Sequence, residues 1–487
     1  METINERSSG RDECIILGQA MKPSQFFKGS WAHIPTAFPK KLEEALKHIA
    51  HCVQKAGGRA LLVGGCVRDA LLGLEAQDID IEVFGLSPTK LESLLCTHFP
   101  LDHVGKAFGV LKIRNLPIDI TLPRRESKSG TGHKGFLVEA DPYLNFAEAA
   151  ARRDFTVNAI SWDPITAELI DPYNGLHDLT DGCLRHTSEK FGEDALRVLR
   201  AMQFAARFDF CVEPATVALC RRLECDDLPA ERIFEEWKKL LLKGCRPSTG
   251  LAFLRECGWL RYYPELHALD GCRQDPEWHP EGDVWTHTLL CLDVFARERI
   301  GEEWEDLVVG FAILCHDFGK PATTFHAADG HIRSPGHAEK GVGLARSFLS
   351  RLTRHKALLD AVTPLVHHHM RPLELYKSRA GDAAIRRLSQ KVGRIDRLIR
   401  IDSADRQGRG PMEIGESPQG RWLLKRAEAL AVKDAAPQPI VQGRHLIALG
   451  ETPGPHFKAL LSECYEAQLD GRFADIDSGI DFVKGIL

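Results

Sequence analysis

The sequence predicts an α+β protein in which a head with a mixed β-sheet precedes a long all-α remainder. Two observations carry this. Short β-rich runs alternate with helical ones to about residue 165, and from "GEDALRVLRAMQFAARF" at 192–208 onward the apolar spacing is mostly helical. Length is the third: 487 residues suggest about three to five folding units.

The elements follow in order. Residues 1–35 mix acidic, basic and small side chains, resemble neither a secretion signal nor a transit peptide, and read as a loosely attached extension. "KLEEALKHIAHCVQKA" at 41–56 has helical spacing and stops at Gly57-Gly58. "RALLVGG" reads as a strand entering a turn, "VRDALLG" as a short helix and "DIDIEVFG" as a strand. "FGVLKIRNLPIDITL" reads as a hairpin or two adjacent strands, followed by a basic, Gly/Ser-rich loop at 123–135. The expected organisation is a head at 36–165, a helical neck at 166–228, a body at 229–275, a His-rich helical domain at 276–410 and a helical tail at 411–487.

Composition bounds the function. Hydrophobic residues make up 44% and charged residues 27%, and the net charge of -5 advertises no nucleic-acid partner globally, so any basic surface is local. The 14 cysteines include no CxxC pair and fit a reducing, cytoplasmic setting better than a disulfide framework. No apolar run approaches the about 18 residues of a membrane span.

Three stretches carry chemistry. On a strand, alternate side chains share a face, so Asp78 and Asp80 present two carboxylates to the same space, with Asp119 of "IDIT" available from a neighbouring strand. Such a cluster needs a cation, and an oxygen-only ligand set suits Mg²⁺ with substrate phosphates, the hardware of two-metal phosphoryl or nucleotidyl transfer. The Gly64-Gly65 turn lets backbone N–H groups approach an anion, the helix starting near Val67 adds its positive end, and Arg68 is placed to pair with a triphosphate. A lone DxD is common on surface strands; it is the order GG-x-V-R-D followed by D-x-D that makes the stretch specific.

The second stretch begins at Gly192. If Asp194 and Arg197 share a helix face, they either pair with each other or imitate a base. An Asp accepts from the exocyclic amine of cytosine or adenine while an Arg donates to the ring nitrogen. Guanine and uracil would leave both groups mismatched, at about 1–3 kcal/mol each. The third stretch is "LCHDFGK". His316 and Asp317 stand side by side, with His287, His337, the run His367-His368-His369, and Asp405 elsewhere in the block. Imidazoles mixed with carboxylates suit a transition metal able to activate a water.

Over residues 57 to about 265 the chain resembles the bacterial class II tRNA nucleotidyltransferases, the CCA-adding enzymes. The likeness rests on "LLVGGCVRDALLG", "DIDIEVFG", "RRDFTVNAI", "DPYNGLHDL", "EDALRVLRAMQFAARF" and "ERIFEEW". It implies a polymerase-β-like nucleotidyltransferase head in which Asp78 and Asp80 bind catalytic Mg²⁺. Gly65, Arg68, Arg152, Arg153, Asp154, Asn158 and Arg200 would contact the nucleotide, and Asp171 to Leu179 would form a hinge. Glu193, Asp194 and Arg197 would be an amino-acid template. The implied substrates are CTP, ATP and the 3′ end of tRNA, with pyrophosphate leaving. Ala107, Phe108 and Gly109 look like the tRNA enzymes rather than the related poly(A) polymerases. A loop from Arg124 to Phe136 favours complete CCA addition over CC addition, with A-only addition as an alternative.

Residues 276–410 resemble the HD superfamily of metal-dependent phosphohydrolases. The likeness is strongest to the HD domain fused to some bacterial CCA-adding enzymes, and "SPQGRW" at 417–422 extends it. It implies 2′,3′-cyclic phosphodiesterase, 2′-nucleotidase or phosphatase activity with a metal such as Ni²⁺, Co²⁺ or Mn²⁺. The expected ligands are His287, His316, Asp317 and Asp405, then His337 and one of His367 or His368, preferably His368, with His369 left to solvent. The alternative is an HD scaffold that binds tRNA or dimerises without metal. The protein is expected to be a monomer or homodimer with no membrane association.

Overall fold

Alternation at the start of one strand positions the acidic pair of the head: Asp78 and Asp80 are exposed while Ile79 and Ile81 are buried, and the strand is buried from there to Phe84. The computed structural model describes residues 38–76, 78–102, 110–128, 136–226, 228–410 and 417–487. The extension expected at 1–35, the Ala107 to Gly109 stretch and the centre of the loop expected at 124–136 lie outside the described residues. The chain divides between Trp259 and Leu260 into two units, each described by itself.

In the first unit α1 (Lys40–Lys55) buries Leu42, Leu46, Ile49 and Val53 along one stripe, the spacing that makes this segment helical. Next come β1 (Arg59–Val63), α2 (Gly65–Leu71), β2 (Ile79–Phe84), α3 (Pro88–Cys96) and β3 (Leu101–Asp102). The expected hairpin is β4 (Val110–Ile113) with β5 (Ile118–Thr121), paired antiparallel. Both described ends of the basic loop are strands: β6 (Arg124–Lys128) and β7 (Phe136–Ala140) form a separate antiparallel pair. The chain continues through α4 (Phe146–Ala150), β8 (Ser161–Trp162), β9 (Leu169–Ile170), α5 (Gly175–Asp181) and β10 (Cys183–Leu184). It ends in α6 (Leu196–Phe208), β11 (Cys211–Val212), α7 (Pro214–Arg221), α8 (Ala230–Lys243) and α9 (Pro247–Glu256), with α8 and α9 packed on α6.

Seven strands form the main sheet in the order β3-β4-β5-β2-β1-β8-β9. It is mixed because β2 and β5 run parallel while their other partners are antiparallel. That parallel register places Asp80 opposite Asp119.

The second unit is helical apart from one small hairpin: α10 (Pro264–His267), α11 (Val284–Arg297), α12 (Glu303–Cys315), α13 (Lys320–Thr323), β12 (Phe325–His326), β13 (Ile332–Arg333), α14 (His337–Leu352) and α15 (Lys356–His368). It continues with α16 (Arg371–Lys377), α17 (Asp382–Val392), α18 (Ile395–Gln407), α19 (Pro418–Ala429), α20 (Gly443–Ala448), α21 (His456–Leu469) and α22 (Ile476–Lys484). The unit starts before residue 276 because residues 265–275 are bonded into it. Glu265 pairs with Arg351, Asp275 accepts from the Ile332 amide at 2.9 Å, and Gln274 accepts from Lys320 at 2.6 Å. Among the described residues no helix is long and apolar enough to cross a membrane.

A buried polar chain holds α6 to the head. Asp154 accepts from Arg200 at 2.6 Å and 2.7 Å and from Asn158 at 2.9 Å. Asn158 in turn accepts from Arg68, whose guanidinium also reaches Asp69 at 2.6 Å and 2.8 Å and lies 4.9 Å and 4.8 Å from the Phe204 and Phe208 ring centres. Arg207 closes the chain on Asp69 at 3.0 Å. Burial would raise the Asp154 pKa, but the Arg200 charge and the hydrogen bonds from Asn158, Arg200 and the Phe155 amide bring it down to about 2. A carboxyl depressed below its ordinary 3.8 stabilises the fold above that value and loses the contribution as pH falls toward 2. The contribution at neutral pH is about 2 kcal/mol. Asp154→Asn should therefore destabilise the first unit at pH 7 and flatten its acid limb below about pH 4, read by urea denaturation across pH. An unchanged acid limb would contradict this role.

Candidate active sites

The first site grows from β2 and β5. Asp78 and Asp80 are exposed on one face, and Asp119 is half-buried beside them. Burial, then the Asp119 and Asp78 charges, raise the Asp80 pKa against the pull of Arg153. Asp119 is held at 2.8 Å by Lys112, which raises the lysine pKa. Only oxygen donors point into the cluster, and its carboxylates repel one another. That donor set fits Mg²⁺, with Asp78, Asp80 and Asp119 as the residues to hold it.

Gly64 precedes α2 with φ of 78°, a conformation that favours glycine. A Cβ there would lie 2.7 Å from Arg153 Nη1 and 3.9 Å from Asp80 Oδ2, so the turn, the arginine and the carboxylate converge. The Arg153 guanidinium makes no hydrogen bond to another described residue, whereas Arg152 is anchored on Glu82 at 2.7 Å. The helix starts at Gly65, two residues ahead of the expected Val67.

Arg68 does not do what its position in the motif suggested. It is 3% exposed and spent on Asp69, Asn158 and two aromatic faces, so it braces the turn instead of meeting a phosphate. Asp154, Asn158 and Arg200 are likewise committed to one another.

The expected helix-face pair is also corrected. Glu193 ends a 3₁₀ turn (Glu189–Glu193), and Asp194 is extended at φ −129°, ψ 102°, ahead of α6. From there it accepts from the Leu196 amide at 3.1 Å and pairs with Arg232 at 2.9 Å. Arg197, in the first turn of α6, donates to the Lys190 carbonyl at 2.7 Å and the Arg152 carbonyl at 2.6 Å. The two side chains stay sequence neighbours but are anchored separately. Asp171 in the expected hinge accepts from the Gly175 and Leu176 amides at 2.7 Å and 2.9 Å, which starts α5.

The second site collects side chains from five segments of the other unit. His316 and Asp317 follow α12, with His316 Nε2 3.2 Å from Asp317 Oδ2. His287 of α11 lies 3.1 Å from Asp405 of α18 and 3.9 Å from Asp317. His337 at the start of α14 lies 3.5 Å from Asp317 and 3.1 Å from His369. Gly319 makes this closure possible, since a Cβ there would stand 2.0 Å from the His337 carbonyl oxygen.

His369, expected in solvent, is 3% exposed and joins the cluster; His367 is exposed and His368 only half-buried, and neither joins it. The reason is helical phase. Val362, Leu365 and Val366 form the buried stripe of α15, and His369 sits three residues past Val366 and bonds its carbonyl at 2.7 Å. That stripe was the sequence signal for choosing His369.

Backbone carbonyls fix three rings through Nδ1: Ile313 for His316 at 2.7 Å, Ser334 for His337 at 2.8 Å and Val366 for His369. Each ring therefore turns Nε2 inward. His316 Nε2 and Asp317 Oδ1 are buried with no hydrogen bond, orphaned as metal ligands would be, while Asp317 Oδ2 is paired with the Lys320 ammonium. The nitrogen and oxygen donors fit a transition metal held by His287, His316, Asp317, His337, His369 and Asp405.

Several neighbours were not visible as site residues in the sequence. Glu281 lies 2.7 Å from His287 and 2.8 Å from His279; burial opposes its charge, but the two imidazoles hold its pKa at about 2. Lys320 reaches Asp317 at 2.7 Å and Arg409 reaches Asp405 at 3.2 Å. "SPQGRW" contributes from behind, because Ser417 and Gln419 donate to Asp402, one turn before Asp405 on α18.

Comparison with known proteins places the whole chain. Residues 60–185 match the Poly A polymerase head domain family, and residues 209–269 match the family described as the probable RNA and SrmB-binding site of polymerase A. The Multifunctional CCA protein of Xylella fastidiosa strain M12 is 36% identical over 389 residues, covering 77% of this chain and 90% of its own. That of Nitrosococcus oceani is equally identical and is covered to 91%. The Bacillus stearothermophilus CCA-adding enzyme, solved in complex with CTP, shares the fold with a TM-score of 0.63 at 21% identity, over 92% of this chain and 98% of that one. The Thermotoga maritima CCA-adding enzyme, solved with tRNA, gives 0.56 at 19%, over 92% and 96%. With a nucleotidyltransferase-type carboxylate sheet, a separate imidazole–carboxylate centre, and 36% identity over most of both chains, the protein belongs to the family of multifunctional CCA proteins.

Proposed function

We propose that the head adds C, C and A in turn to the 3′ end of tRNA from CTP and ATP, releasing pyrophosphate at each step. The observation that carries this is the Asp78, Asp80 and Asp119 cluster facing the Gly64 turn and Arg153. The bound Mg²⁺ supplies charge neutralisation and an activated 3′ hydroxyl for attack on the α-phosphate. Arg153 and the backbone N–H groups of the turn meet the phosphates and balance charge on the leaving pyrophosphate.

Asp194 and Arg197 read the base. A carboxylate offers about four acceptor sites. Asp194 spends two on Leu196 and Arg232, which leaves capacity for the exocyclic amine of C or A. Arg197, clamped on two carbonyls, is positioned to donate to the ring nitrogen. The tRNA is bound by shape and phosphates, since every tRNA must be served.

The imidazole–carboxylate centre is a second, hydrolytic site for phosphate esters such as 2′,3′-cyclic phosphates at damaged RNA ends. A transition metal bound there supplies a water of lowered pKa. Lys320 and Arg409 place positive charge beside the carboxylates, where a phosphoryl group would otherwise meet net negative charge. A transition metal such as Ni²⁺, Co²⁺ or Mn²⁺ fits this nitrogen and oxygen donor set.

Product length on a tRNA ending at its discriminator base tests the first activity. The wild type should add three nucleotides and stop; stopping at two would indicate CC addition, and unlimited ATP incorporation a poly(A) polymerase. Asp78→Ala or Asp80→Ala should lower addition by roughly a hundredfold or more with the fold retained. For the second site, Asp317→Ala and His369→Ala should abolish hydrolysis of a 2′,3′-cyclic nucleotide with Ni²⁺, Co²⁺ or Mn²⁺, while His368→Ala should leave it largely intact. Absence of hydrolysis by the wild type with all three metals would overturn the second assignment.

A further inference from the structure

A third cluster of metal-ligating side chains lies outside both sites. His48 and Cys52 stand one helical turn apart on α1, and His98 follows the end of α3. One ligand atom from each lies within 4.8 Å of the other two. Residues four apart on a helix share a face, so α1 itself presents the imidazole and the thiol together. The third ligand is brought in by the turn that ends α3, where the His98 and Phe99 amides donate to the Leu95 carbonyl at 3.0 Å and 2.8 Å. The His48 ring packs edge-on against His98 and Phe99, with centroids 5.1 Å and 5.4 Å away. A second link, Lys90 Nζ to the Ala56 carbonyl at 2.8 Å, ties α3 to the end of α1.

None of the three side chains makes a hydrogen bond to another described residue, so no internal partner competes for the ligand atoms. His48 and His98 are exposed and Cys52 is half-buried, so an ion can enter from solvent. An isolated surface histidine or cysteine would mean nothing; here two elements distant in sequence converge on one point.

We propose that His48, Cys52 and His98 form a three-ligand zinc-binding site that bridges α1 and α3 in the head. Two imidazoles and a thiolate are a borderline-soft donor set that suits Zn²⁺, and a water completes a tetrahedral shell. Binding forms a sulfur–zinc bond and releases the Cys52 thiol proton to solvent, with no change of oxidation state. The site shares no residue with either active site, so its loss should spare nucleotide addition under non-denaturing conditions.

Two measurements on the full chain test this. Titration with Co²⁺ should give the near-ultraviolet thiolate-to-cobalt charge-transfer band. Cys52→Ser should remove that band, while Cys291→Ser, next to the imidazole–carboxylate centre, should retain it. Zn²⁺ should also protect Cys52 from alkylation, read by peptide mass spectrometry. Its labelling rate should fall roughly tenfold or more at saturating zinc in the wild type and be unaffected by zinc in His48→Ala or His98→Ala. A cobalt–thiolate band that survives Cys52→Ser, or equal Cys52 labelling with and without zinc in the wild type, would overturn the proposal.

Discussion

The head depends on one buried charge. Asp154 sits in a protein interior with three hydrogen-bonded partners, Arg200 from α6, the adjacent Phe155 amide and Asn158 from the following turn, and Asn158 passes the connection to Arg68. An unpaired carboxylate at that depth would cost several kcal/mol, so the three segments must arrive together or the interior fails. Apolar packing alone would let α6 slide along the sheet. A directional network with a fixed donor and acceptor at each position does not. The neighbouring Phe204 and Phe208 rings against the Arg68 guanidinium add shape to that register. The same brace sets the Gly64 turn, because Arg68 and Asp69 lie on the short helix that follows it.

The two chemical centres show how donor type and burial divide the work. Asp78 and Asp80 are exposed and offer only oxygen, as suits a hydrated ion that arrives with a triphosphate. The centre around Asp317 is buried, and backbone carbonyls orient three of its rings before any ion enters. Preorganisation of that kind binds a resident metal tightly because little entropy remains to be lost. Gly319 belongs to the same device: the backbone of the "HDFG" turn touches the start of α14, where a methyl group would not fit.

What could be read from the sequence was what depends on local periodicity. The alternation of 78–81 gave the carboxylate face, the helical stripe of 40–55 gave α1, and the strand-like runs in 110–121 gave the hairpin. Other roles are set by partners far along the chain. Arg68 looks like a phosphate ligand until Asn158 and Phe204 arrive from 90 and more residues away. Glu193 and Asp194 carry apparent helical spacing, yet Asp194 leaves the helix because its carboxylate is more useful as a cap on Leu196. The basic segment after Pro123 has loop composition, but its ends pair as strands, and composition holds no record of a partner strand. His369 was the one miss with a usable local signal, the stripe through Val362 and Val366.

The separate anchoring of Asp194 and Arg197 bears on how a protein replaces a nucleic-acid template. A pair that bonded only to itself would present a flexible edge and adapt to any base. Here Arg197 is fixed by the carbonyls of Lys190 and Arg152, and Asp194 by Arg232 and the Leu196 amide that opens α6. On the proposed reading of the base, neither could swing to satisfy guanine or uracil without abandoning a bond, so rejection would follow from rigidity as much as from donor pattern. Cytosine and adenine differ in size, however, and one rigid edge must serve both. The adjustment then has to come from the segments that carry the anchors, the backbone around Arg152 and Lys190, and not from rotation of the reading side chains. Since Arg152 is itself tied to Glu82 on the metal-bearing strand, any such shift of base recognition is mechanically coupled to the strand that holds the carboxylates.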